Sequence, residues 1–142
     1  LDSLPSDINA MLQKALSYAK QELERKEDFV FFHQDVNGDN MAFDESTGTV
    51  LGVFDFSDAG IGPRSWEFAE LFTIDGELAR LTADFYAEMS DVVNPLLGGA
   101  ADYILRKATL MVDARRDENK QSEVALIDGL RDFLPTWHRL TK

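Results

Sequence analysis

The sequence contains no cysteine, which excludes disulfide staples and cysteine-based metal sites and agrees with a reducing cytoplasm as its location. Basic residues are scarce: 14 Lys and Arg face 26 Asp and Glu, and the net charge of -12 argues against a nucleic-acid backbone or an anionic membrane as partner. No apolar run approaches the roughly 20 residues that a membrane helix needs, and no signal peptide is visible at Leu1. Glycine-rich phosphate loops are missing too, since neither G-x-G-x-x-G nor G-x-x-x-x-G-K-[ST] occurs. No internal repeat or low-complexity linker stands out, and 142 residues with 44% hydrophobic content suit one domain over 1–142.

What is present centres on the stretch from Phe29 to Ser57. Two apolar runs, Phe29 to Phe32 and Val50 to Phe54, each read as a buried strand that ends in polar residues. The first runs into His33, Asp35 and Asn40, and the second ends at Asp55. Side chains just past a strand end are held by the framework yet stay accessible. Asp35 and Asn40 share a loop rich in turn-forming Asn, Asp and Gly. Met41–Phe43 and Thr49–Phe54, separated by Asp44-Glu45-Ser46-Thr47-Gly48, predict a hairpin that returns Asp55 to the neighbourhood of Asn40. Carboxylate and amide oxygens gathered in this way suit a magnesium ion that arrives with phosphates, and phosphoryl transfer needs one more carboxylate to orient the attacking hydroxyl.

The order His33-x-Asp35, Asn40 five residues after the Asp, a hairpin, and then Asp55-Phe56-Ser57-Asp58-Ala59-Gly60-Ile61-Gly62-Pro63 resembles the aminoglycoside phosphotransferase and choline-kinase-like small-molecule kinases, relatives of the protein kinases. The likeness is close from Phe29 to Leu71 and only an outline beyond. It implies that Asp35 is the catalytic base, that Asn40 and Asp55 hold Mg2+, that ATP is the phosphate donor, and that His33 is a structural residue of the catalytic loop. Gln34, Asn37-Gly38-Asp39 and Glu67 depart from the usual pattern without removing a magnesium ligand. The implied fold is α+β and mostly helical: a protein-kinase-like C-terminal lobe with a catalytic loop, a short β-hairpin and packed helices. Only 32 residues precede His33, so the reading expects a fragment that lacks the N-terminal nucleotide lobe and is inactive alone.

Elsewhere, Ser6 is the expected N-cap of a helix reaching about Arg25, with Ile8, Met11, Leu12, Ala15, Leu16, Ala19 and Leu23 packed beneath the hairpin. Asp58 to Pro63 is expected to form a loop beside the metal, followed by a short helix over 64–72. Leu78, Leu81, Phe85 and Met89 predict the buried face of the next helix, ending before Asn94-Pro95. Two more helices follow, the second spanning about Gln121 to Phe133. These would bind the acceptor, a small hydroxyl compound for which the acidic charge is compatible with a cation, and Asp58, Asp113, Asp117 and Glu118 are its candidate contacts. Two other function classes compete. A calcium loop starting at Asp35 fails at its sixth and twelfth positions, Asn40 and Ser46, which should be Gly and Glu. A non-catalytic kinase-like scaffold or binding module has intact Asp35, Asn40 and Asp55 against it.

Overall fold

The computed structural model describes residues 4–90 and 92–142. Helix α1 spans Ser6–Glu24, α2 Glu67–Ile74, α3 Gly76–Ser90, α4 Leu96–Arg116 and α5 Lys120–Leu140. Strands β1 (Phe29–Phe32), β2 (Met41–Phe43), β3 (Val50–Val53) and β4 (Gly60–Pro63) make two separate antiparallel ribbons, β1 with β4 and β2 with β3. The fold is thus α+β and mostly helical, built like the C-terminal lobe of a kinase.

Helix α4 is the spine, with α1, α2 and α5 packed along it and α3 laid against α2. Its N-terminal Gly98-Gly99-Ala100-Ala101 has almost no side-chain bulk, which lets neighbouring backbone come close. A Cβ on Gly99 would stand 2.7 Å from the Cβ of Phe68 and 3.1 Å from its backbone carbon. Ile8, Met11, Leu12 and Ala15 of α1, Phe68 and Phe72 of α2, Ile104 of α4, and Leu130 and Trp137 of α5 complete one core.

Several expectations require correction. Ser6 does not cap α1: Pro5 occupies that position and no side chain accepts a bond there. Helix α1 packs on α4 and α5 rather than beneath the β2–β3 hairpin, and Leu16 and Leu23, at the edge of its apolar stripe, are exposed. The face of α3 is reversed. Ala79 and Ala83 are fully buried because their small side chains permit close approach to α2, and Tyr86 meets the Phe68 ring edge-on at 5.5 Å. Leu78, Leu81, Phe85 and Met89 face outward. The strands are not fully buried either. In β1 only Phe32 is buried, Phe31 is 66% exposed, and every residue of β3 is exposed, because a two-stranded ribbon with no layer packed on it leaves both faces open to solvent.

Gly60–Pro63 is strand β4 rather than loop. Gly62 is needed for close contact: a Cβ there would sit 2.9 Å from the Phe32 ring and 3.3 Å from Trp66. Helix α5 runs through Pro135 for almost two turns beyond the expected end at Phe133. Proline costs an interior helix a hydrogen bond, and burial of Trp137 beyond it offsets that loss.

Two glycine replacements should act in opposite directions. Gly99→Ala is expected to destabilise by about 1–3 kcal/mol through the clash with α2. Gly129→Ala, with open space around its α5 site, should stabilise by roughly 0.4–1 kcal/mol. Urea unfolding midpoints measure both, and equal effects would contradict the close packing of α4 on α2.

Candidate active site

The site forms where β1 ends and the chain crosses to the β2–β3 hairpin. His33, at 6% exposure, is the buried anchor. Its Nε2 bonds the carbonyl of Phe54 at 2.9 Å, and its Nδ1 accepts from the Asp35 N–H at 3.3 Å. These partners define a neutral ring with the proton on Nε2. The Phe56 ring meets the imidazole edge-on at 4.4 Å. One histidine therefore ties the loop carrying Asp35 to the segment carrying Asp55.

Gln34 takes φ 72°, a left-handed conformation that costs a residue with a side chain about 1–2 kcal/mol. Glu67, at the start of α2, holds that turn. Its Oε2 accepts from the backbone N–H of His33 at 2.8 Å and from that of Gln34 at 3.0 Å. Glu67 thus caps two backbone donors of the turn. From the opposite side Arg106 of α4 donates to the carbonyl of Gln34 at 3.4 Å. Arg106 escaped the sequence reading, because a lone arginine in a helix looks like any surface charge.

Asp35 is held by neighbouring amides. Asn37 Nδ2 donates to its Oδ1 at 2.8 Å, and Asn40 Nδ2 donates to its Oδ2 at 2.6 Å and to its backbone carbonyl at 2.9 Å. Asn40 is itself buried at the end of the 3-10 turn Gly38–Asn40, and its carbonyl accepts the N–H of Phe54 at 3.0 Å. Pairing of Met41 with Val53 continues that contact into the hairpin, so Asp55 begins immediately beyond the Asn40 backbone. Asp55 is exposed, has φ 59°, and accepts the Ser57 N–H at 3.3 Å. The hairpin expected from the sequence is what joins these positions. Its loop is closed by the Asp44 side chain, which accepts from Ser46, and by Gly48 at φ 70°.

Asp58 lies exposed in the turn after Phe56. Asp113 and Asp117 stand at the C-terminal end of α4, both paired with Arg116, and Glu118 follows at φ 55°. Arg106 marks where α4 meets the Gln34 loop, and Asp113 lies two helical turns beyond, roughly 10 Å along the axis. Among the described residues no hydrogen bond or ion pair joins Asp113, Asp117 or Glu118 to that loop.

A family model described as the phosphotransferase enzyme family matches residues 1–95, which include every residue of the site except Arg106. The chain belongs to that family. No curated protein and no solved structure matched. Membership in the phosphotransferase family implies phosphotransferase activity in general. Among the described residues no helix is long and apolar enough to cross a membrane.

The fit to magnesium follows from the donor set. Among the described residues no three His, Cys, Asp or Glu side chains form a metal cage. Asn40 directs its amide nitrogen at Asp35, which leaves its side-chain oxygen for another partner, and Asp55 adds an exposed carboxylate. Two hard oxygen ligands suit an ion that brings phosphates and waters to complete its coordination.

Removing the Glu67 carboxylate strands two backbone donors beside a strained residue. Glu67→Ala should therefore lower stability by about 2–3 kcal/mol, measured by chemical denaturation. Stability within 0.5 kcal/mol of the parent, roughly the scatter of neutral surface substitutions, would show that Glu67 does not hold the turn.

Proposed function

We propose that the chain is the catalytic and acceptor-binding lobe of an ATP-dependent small-molecule kinase that phosphorylates a hydroxyl group. The observation that supports this most directly is the Asp35 carboxylate, gripped by the Asn37 and Asn40 amides just past the end of β1. Amide donors on both oxygens fix its direction. Asp35 then receives the proton of the acceptor hydroxyl as that oxygen attacks the terminal phosphorus of ATP, the bond from that phosphorus to the β–γ bridging oxygen breaks, and ADP leaves with the electron pair.

His33 keeps Asp35 and Asp55 on one rigid unit through its two ring nitrogens. Asn40 and Asp55 would hold Mg2+, which when bound neutralises charge on the transferring phosphates. Hairpin pairing, which sets the Phe54 N–H on the Asn40 carbonyl, supports this reading.

The apolar side chains Phe31, Leu51, Phe54 and Phe56 are exposed around the site. Exposed apolar clusters of this kind mark interaction surfaces. With no glycine-rich phosphate loop in the sequence, we assign this surface to a nucleotide-covering N-terminal lobe, without which the chain transfers no phosphate. The strongly acidic surface favours a cationic acceptor.

Asp35→Ala in the kinase carrying this chain should reduce turnover by about 10²–10⁴-fold while the unfolding midpoint stays near that of the parent. Parent-like turnover would remove Asp35 from its role. Asp55→Asn should raise the magnesium concentration needed for half-maximal activity, and an unchanged magnesium titration would exclude Asp55 as a ligand.

A further inference from the structure

Arg106 lies on α4, beyond the residues matched by the family model, yet its guanidinium meets four different elements. Its Nε donates to Asp102 at 2.8 Å, one turn back on α4. Nη1 reaches the carbonyl of Gln34 at 3.4 Å and Glu70 of α2 at 3.5 Å, and Nη2 reaches the carbonyl of Trp66 at 3.3 Å. The side chain is only 28% exposed. Burial raises the Asp102 carboxyl above its usual range against the pull of Arg106, a sign that the guanidinium works in a partly desolvated setting.

The peptide that links Gln34 to Asp35 is held at both ends. Its carbonyl accepts from Arg106, and its N–H donates to His33 Nδ1. The preceding N–H groups of His33 and Gln34 are taken by Glu67. Rotation of the Gln34–Asp35 peptide would swing the Cα of Asp35 and, with it, the carboxylate. Asn37 and Asn40 move with the same loop and cannot by themselves fix it against the helical body. Glu67 of α2 supplies that external reference on the N–H side and Arg106 on the carbonyl side of Gln34, where Asp102 and Glu70 fasten the guanidinium to α4 and α2.

We propose that Arg106 is a positioning residue for phosphoryl transfer. It locks the Gln34–Asp35 peptide of the catalytic loop to the helical body and thereby aims the Asp35 carboxylate. The inference rests on the kinase reading given above. A planar fork with donors in fixed directions can serve two carbonyls and two carboxylates together, whereas a lysine ammonium is a single point charge on a flexible stem.

The test compares Arg106→Lys and Arg106→Gln with the parent in the kinase carrying this chain. Lysine keeps the charge beside Asp102 and Glu70, so Arg106→Lys should unfold at a midpoint near the parent's. Both variants should lower kcat by about ten- to hundredfold, as a misplaced reacting group does. KM for ATP and for the acceptor should stay within about twofold, since a group that acts only in the transition state leaves ground-state binding unchanged. Amide exchange at Asp35, measured independently of activity, should speed up by about tenfold or more in both variants. Unchanged exchange at Asp35 overturns the grip, and faster exchange with unaltered kcat overturns the positioning role. An Asp35→Ala control run alongside separates the two layers. If that control keeps parent-like turnover the kinase reading itself fails, whereas exchange at Asp35 still reports whether Arg106 holds the loop.

Discussion

The left-handed turn at Gln34 is the constraint on which the site depends. Strand β1 must stop at Phe32, reverse within a few residues and present a carboxylate to solvent, and Gln34 absorbs that change of direction. Such a backbone persists only where its surroundings over-determine it. Here the surroundings are the side chains of Glu67 and Arg106, from different helices. Glu67 takes the N–H groups, Arg106 takes the carbonyl, and His33 links the same crossing to the Phe54 carbonyl. Strain in the loop and charge in the helices are therefore parts of one device.

That device requires α4 to lie close to α2. The Gly98-Gly99-Ala100-Ala101 start of α4 permits this closeness, because backbone there meets Ser65 and Phe68 directly. One turn further along, Asp102 and Arg106 face the Gln34 loop and Trp66. Small residues at one end of the helix thus set the reach of the arginine at the next. The core of α1, α4 and α5 behind them, closed by Ile8, Ile104, Leu130 and Trp137, gives the arginine a rigid base.

The grouping of the candidate-site side chains was legible in the sequence because their spacing is local. His33, Asp35 and Asn40 lie within one loop, and a hairpin marked by Asp44 and Gly48 brings Asp55 back to them. The boundary between α3 and α4 was legible for the same reason, through Asn94-Pro95. Facing was not. In α3 the larger side chains Leu78, Leu81, Phe85 and Met89 pointed to a core, whereas Ala79 and Ala83 are buried. Hydrophobic size favours burial, but close helix packing selects small residues, and only the neighbouring helix reveals which demand wins. Gly60 to Gly62 was likewise ambiguous, since glycine serves a turn and a crowded strand equally well.

The sequence alone determined the helices and the β2–β3 hairpin, the local pattern of His33, Asp35 and Asn40, and the membership of the phosphotransferase family, all of which depend on residues near one another in the chain. Tertiary structure decided which helix faces are covered, that β3 stays exposed, and that Glu67 and Arg106 meet across the Gln34 turn. Arg106 is 72 residues from Gln34. Nothing local to either position signals the other, because their meeting is created by how tightly α4 settles against α2.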